Sequence, residues 1–78
     1  MARRTAGNRL RGWRRSRGVT QEELAHELDF AHGPAIHKRE TGEVAMDEAA
    51  LMDALAAVTR IAKRKAAEMT LTEVLAGE

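Results

Sequence analysis

An all-helical fold is what the sequence predicts, on three observations. Aromatic residues are only 3% of the 78 residues, Trp13 and Phe30, in a chain dense in alanine with a single proline and 32% charge, a composition of helices rather than of sheets. Apolar residues recur at three- and four-residue spacings. The pattern of a helix start, Thr-x-x-Glu, occurs at Thr20–Glu23 and again at Thr70–Glu73. A chain of this length holds one small core. Without cysteine it has neither a disulfide framework nor a thiolate zinc site, so packing, with or without oligomerisation, must stabilise it, and a reducing cytoplasm is the expected compartment. The longest apolar run, Ala54 to Val58, is five residues, against about 20 for a spanning helix, so no membrane segment is expected.

The elements follow in order. Residues 1–7 have no apolar period and read as a flexible basic arm bearing Arg3 and Arg4. A first helix is expected from Asn8, a good cap, with Leu10, Trp13 and Arg17 on one face and Arg9, Arg11 and Arg15 left to solvent or a partner. Gly18 closes it, since glycine adopts the left-handed conformation without cost. Thr20 and Glu23 cap a second helix with Leu24, Ala25 and Leu28 as its apolar stripe, which Asp29 terminates. Phe30 to Gly33 connects to a third helix, Pro34 to Thr41, with proline in the first turn and Gly42 at the end. Ala35 and Ile36 are its only apolar interior residues, so most of its surface is offered to something other than a core. From Asp47 to about Glu68 one or two helices fit, burying Met46, Ala50, Leu51, Leu55, Val58 and Ala62. Thr70–Glu73 then predicts a separate short helix with Leu71, Val74 and Leu75 on one face. The sum is a five- or six-helix domain over residues 8–68 with a C-terminal helical extension over residues 69–78.

Charge is strongly divided. Met1 to Gly18 carries seven arginines and no acid, whereas the remainder has six basic and twelve acidic residues, so a net charge of +1 conceals halves of +7 and −6. Clustered guanidinium groups suit phosphate, because each presents a planar fork of donors and a charge that does not titrate away.

A capped short helix, a tight connection and a basic short helix, preceded by an arginine-rich helix, are the physical plan of a helix-turn-helix. The segment Leu10 to Leu55 resembles the DNA-binding domains of the lambda-repressor and Cro type, the XRE family. The resemblance is carried by Leu10-x-x-Trp13-Arg14, by Arg17-Gly18-Val19-Thr20-Gln21-Glu22-Glu23-Leu24-Ala25, by Ile36-His37-Lys38-x-Glu40-x-Gly42, and by the helix after Met46. It implies a sequence-specific regulator of transcription that binds double-stranded DNA, most simply a repressor acting as a homodimer on a two-fold operator, without a cofactor. It further implies a phosphate contact from Gln21, a structural salt bridge between Arg14 and Glu40, and base or backbone contacts from His32, Gly33, Pro34, His37, Lys38 and Thr41. Lys38 is the foremost of these, since its ammonium can donate to guanine O6 or N7. The Arg3 and Arg4 arm would enter a neighbouring minor groove.

The chain departs from that pattern in two places. The connection is one residue longer than usual, with Phe30, Ala31, His32 and Gly33 in place of a Gly-Val-Ser type of turn. Arg39 stands where a large apolar residue normally seats the third helix, and two placements fit: the side chain lies over Phe30, or the helix rolls so that Arg39 meets DNA.

No catalytic constellation is present. His26, His32 and His37 do not share a helix face, and no His-Glu-x-x-His, glycine-loop or nucleophile motif occurs, so neither enzymatic activity nor a metal site is expected. The competing function is a protein-binding module on the same fold, such as an antitoxin or a phage-type adaptor, because fold does not fix function. Leu71, Val74 and Leu75 would then contact a toxin or other protein; otherwise they pack on a second copy or on the chain's own core.

Overall fold

A computed structural model describes residues 3–30 and 33–77, with side chains from Ala6 onward outside that gap. Four helices make up the described residues: α1 (Arg3–Ser16), α2 (Gln21–Glu27), α3 (Gly33–Thr41) and α4 (Glu48–Ala76). All-α holds, but the count is four rather than five or six. Helices α1 and α2 each pack on both α3 and α4. Between them lies a core of Leu10, Val19, Leu24, Ala25, Ile36, Leu51, Ala54, Ala57, Val58 and Ile61. None of the helices is long and apolar enough to cross a membrane.

Helix α1 starts at Arg3, five residues earlier than expected, so residues 3–7 belong to the helix rather than to a flexible arm. The reason is tertiary. Gly7 is buried, and a Cβ there would overlap the backbone carbonyl oxygens of Arg39 and Glu40 at the end of α3. This glycine lets two backbones touch, and the contact holds the first turns of α1 in place. Asn8, expected as the cap, is an exposed residue inside the helix. Trp13, expected on the core face, is 38% exposed, and the Arg17 guanidinium lies 3.3 Å from its ring centroid, so cation–π stacking covers what the core does not.

The ends of α1, α2 and α3 obey local rules. Gly18 and Gly42 adopt φ of 66° and 87° at the ends of α1 and α3, where a side chain would be strained. Thr20 Oγ1 accepts from the Glu23 amide at 3.0 Å while the Thr20 amide donates to Glu23 Oε1 at 2.8 Å, completing the capping box. Past α2, Asp29 takes a left-handed φ of 63°, which aspartate tolerates better than most residues, and the Phe30 amide returns to the Ala25 carbonyl at 2.8 Å.

Helix α4 runs unbroken for 29 residues behind its N-cap, Asp47, whose carboxylate accepts from the Ala50 amide at 2.7 Å. The separate final helix does not exist. Thr70 Oγ1 donates to the Ala66 carbonyl and Thr72 Oγ1 to the Glu68 carbonyl, the in-helix alternative open to a threonine hydroxyl. Thr59 does the same to Leu55. Of the expected stripe, Leu51 and Val58 are buried, Met46, Leu55 and Ala62 half-buried, and Ala50 exposed.

Polar contacts fasten α2 to α4 at its rim. Glu27 accepts from Arg60 Nε at 2.9 Å and from Arg64 Nη2 at 2.6 Å. Lys65 Nζ reaches both Glu23 Oε1 at 2.9 Å and the Gly18 carbonyl at 2.8 Å. Hydrogen bonds from Arg64 and then Arg60 hold the Glu27 carboxyl down to about 2, from an ordinary 4.5. The Glu23 carboxyl is also lowered, first by the Thr20 amide and then by Lys65.

Two predictions follow from this packing. In α1, Gly7→Ala lowers stability by about 1–3 kcal/mol through overlap with α3. Gly12→Ala, whose added carbon meets nothing within 4 Å, instead raises stability by about 0.5–1 kcal/mol; urea unfolding of both variants reads the difference. Because the folded-state value of Glu27 lies below its unfolded one, its contribution is complete above pH about 4.5 and disappears as the pH falls toward about 2. The urea midpoint of Glu27→Gln should therefore fall less steeply than that of wild type across this window.

Candidate nucleic-acid interface

Helix α3 divides by burial into two faces. Ile36 and Glu40 point inward and are buried, whereas Pro34, His37, Lys38 and Thr41 are exposed at spacings of three, four and seven, which places them on one outward stripe. The four are among the residues for which contact is expected, and the fold brings them together.

Two other expected contact residues are placed elsewhere. Gly33 is buried, its amide donates to Glu22 Oε1 at 2.8 Å, and a Cβ there would come within 2.7 Å of that oxygen. The Glu22 carboxylate therefore satisfies an amide of the first turn of α3 that has no partner within the helix, and Gly33 leaves the outward set. Arg39 is half-buried. Its guanidinium carbon lies 4.4 Å from the Phe30 ring centroid and its Nη1 donates to the Ala35 carbonyl at 2.7 Å. Of the two placements open to Arg39, the one over Phe30 is realised, and the residue seats α3 where an apolar side chain was expected. His32 and the side chains of Arg3 and Arg4 lie outside the described residues, although Arg3 and Arg4 themselves belong to α1.

The orientation of α3 is fixed by a buried ion pair. Arg14 Nε donates to Glu40 Oε2 at 2.7 Å and Arg14 Nη2 to Glu40 Oε1 at 3.0 Å, with side-chain exposures of 8% and 1%. Two further bonds satisfy the pair: Arg14 Nη1 donates to the Val19 carbonyl at 2.9 Å, and Gln21 Nε2 donates to Glu40 Oε1 at 3.1 Å. Among the described residues no buried side-chain nitrogen or oxygen lacks a partner. The expected Arg14–Glu40 pair is thus present in its strongest, two-point form. Gln21, half-buried, serves this network with one of its two amide hydrogens.

Beside this pair lies an open groove lined by Arg11, Arg14, Arg15, Gly18, Val19, Thr20, Gln21 and His37. It joins the end of α1, the start of α2 and the outward stripe of α3. Arg11 and Arg15 are exposed, and among the described residues neither has a carboxylate within salt-bridge distance. With Arg14 neutralised by Glu40, they leave two positive charges at the mouth. Sequence reasoning assigned them only to solvent or a partner. The available signal was their spacing of four on a helix that carries no acid to pair with them.

The arrangement can donate hydrogen bonds to an extended polyanion and present a shallow polar stripe next to it. Among the described residues no group of three or more His, Asp or Glu side chains is placed to hold a metal ion. Comparison with family models, curated proteins and solved structures returns no match.

Removing one member of the buried pair leaves the other charged and unpartnered. Glu40→Ala should cost about 3–5 kcal/mol in urea unfolding, and the double variant Arg14→Met with Glu40→Leu should recover most of that loss. Equal stability of Glu40→Ala and wild type would show that the pair is not holding α3.

Proposed function

We propose that this chain binds double-stranded DNA as a transcriptional regulator, with the outward stripe of α3 in the major groove and the Arg11–Arg15–Gln21 groove on an adjacent phosphate backbone. The observation that carries the reading is the juxtaposition of that exposed stripe, Pro34, His37, Lys38 and Thr41, with a groove bearing two uncompensated arginines. The division of charge along the chain and the resemblance to lambda-repressor-like helix-turn-helix domains support it independently.

In this reading the groove positions and the stripe specifies. Arg11 and Arg15 grip phosphates without regard to sequence, and the free hydrogen of the Gln21 amide adds a third donor. Lys38 donates to guanine O6 or N7, His37 reaches a base edge or a phosphate, and Thr41 lies nearer the backbone. Pro34 offers only apolar contact. Few long polar side chains therefore read bases directly, and DNA shape and deformability contribute the remaining selectivity. Repression by blocking promoter access is the simplest output of such a complex.

Selection of bound sequences from a random duplex library, followed by affinity measurements across salt, tests the proposal. Lys38→Ala should lower the preference for the selected sequence by about 1–3 kcal/mol while leaving random-duplex binding nearly unchanged. Arg11→Ala with Arg15→Ala should weaken selected and random duplexes alike and reduce the salt slope by roughly two. Failure to retain any duplex at low salt would overturn the DNA reading in favour of a protein partner.

A further inference from the structure

Helix α1 carries arginines on two opposite sides, and the groove beside α3 uses only one of them. At 3.6 residues per turn, Arg11 and Arg15 form one row. Arg9, Trp13 and Arg17, spaced by four, form a second whose mean direction is about 180° from the first. Buried Leu10 and Arg14 lie between the rows on the inner side, and exposed Asn8, Gly12 and Ser16 on the outer side. All three members of the second row are exposed. Among the described residues neither Arg9 nor Arg17 has a carboxylate within salt-bridge distance, and α1 itself holds no acid.

Arg17 is held without being neutralised. Its guanidinium lies 3.3 Å from the Trp13 ring centroid, and its Nη1 donates to the Ser16 hydroxyl at 2.8 Å and to the Trp13 carbonyl at 3.3 Å. These contacts fix the planar fork in place and leave its charge intact, and a fixed guanidinium near a second unpaired one suits a phosphate backbone. Helix α4 offers no rival. Its Arg60 and Arg64 share the Glu27 carboxylate. Its last turns, where Leu71, Val74 and Leu75 are exposed rather than packed on the core, hold Glu68 and Glu73 and no cation.

Stiffness decides what the second row meets. A duplex seated on the α3 stripe and the Arg11–Arg15 groove touches one side of α1. Helix α1 with its side chains is about 10–12 Å across, whereas duplex DNA has a persistence length of about 500 Å, so the same duplex cannot curl round to the other side. A single strand could, but it binds by stacking bases on aromatic rings, and Arg17 already occupies a face of the one indole present. A protein interface needs a larger apolar centre than one partly covered tryptophan.

We propose that the chain bridges two DNA duplexes, one on the α3 stripe and the Arg11–Arg15 groove and the other on Arg9 and Arg17 across α1. Bridging rests on the DNA-binding reading and adds a second site to it. With two arginines and no base-reading stripe, the second site grips phosphates without regard to sequence and lets go at lower salt than the first.

A short duplex fixed to beads, saturated with protein, washed and offered a second, labelled duplex separates the two sites, because retained protein reads the first and retained label the second. Wild type should hold both at low salt and release the label first as salt rises. Arg9→Gln with Arg17→Gln should leave protein retention within about twofold and cut retained label about tenfold. Arg9→Glu, which keeps the Arg17–Trp13 stack, should do the same, excluding a folding defect as the cause. Emission from Trp13, the one tryptophan, should change in a second phase of a duplex titration, after the first site has filled. Protein retained without label would overturn bridging and leave the DNA-binding reading standing; no protein retained would overturn both. Label undiminished in the Arg9 and Arg17 variants, as two associated copies each holding one duplex would give, would overturn bridging across α1. Preferential retention of a labelled single strand or a polyglutamate chain would overturn it as well.

Discussion

One buried ion pair sets the geometry on which the rest depends. Arg14 on α1 and Glu40 near the end of α3 are bonded at two points, and the Val19 carbonyl and Gln21 amide satisfy what remains of their capacity. Desolvation offsets much of the Coulomb gain in such a pair, so its importance lies less in net stability than in the specificity of one arrangement over others. An apolar contact would hold α3 against the core at many roll angles. A two-point bond to a planar guanidinium allows one, and that one turns Pro34, His37, Lys38 and Thr41 outward. The same network reaches Gln21 on α2, so the stripe and the groove beside it are set by a single constellation of side chains.

Around that pair, small residues decide how closely the helices approach. Gly7 lets α1 meet the backbone of α3, and Gly33 leaves room for the Glu22 carboxylate at the first turn of α3. Arg39, lying over Phe30, supplies apolar cover that an aliphatic residue would otherwise give, because a guanidinium stacks on an aromatic face while its stem covers the core. Helix α4 acts as a spine that closes the core and is fastened to α2 as far as Lys65, and its last three turns, Ala66 to Ala76, are exposed. The division of charge matches this division of labour: cations beside the outward stripe, acids on the exposed end.

What the sequence made legible was local. Helix ends at Thr20, Gly18 and Gly42 obey rules written within four residues, and all three stand as expected. The pairing of Arg14 with Glu40 was legible only through resemblance, since twenty-six residues separate them. The remaining errors share a cause. Gly7 has the look of a hinge unless one knows that α3 passes over it. Thr70–Glu73 has the pattern of a cap, yet a threonine hydroxyl is satisfied equally by the carbonyl four residues back, and without glycine or proline nearby nothing forces α4 to stop. Gly33 was expected at the interface because its engagement with Glu22 is a contact across eleven residues. Arg11 and Arg15 were visible as charges, but their convergence with Gln21 and His37 required the angle between α1 and α3.

The central claim is that the outward face of α3 and the neighbouring groove form one nucleic-acid surface. Titration of isotope-labelled protein with a duplex, followed by amide and side-chain chemical shifts, tests it most directly. The account predicts that the largest changes cluster on Arg11, Arg15, Gln21, His37, Lys38 and Thr41 while the core residues Leu51 and Val58 stay unmoved. Changes confined to the exposed end of α4, or spread evenly over the surface, would contradict it.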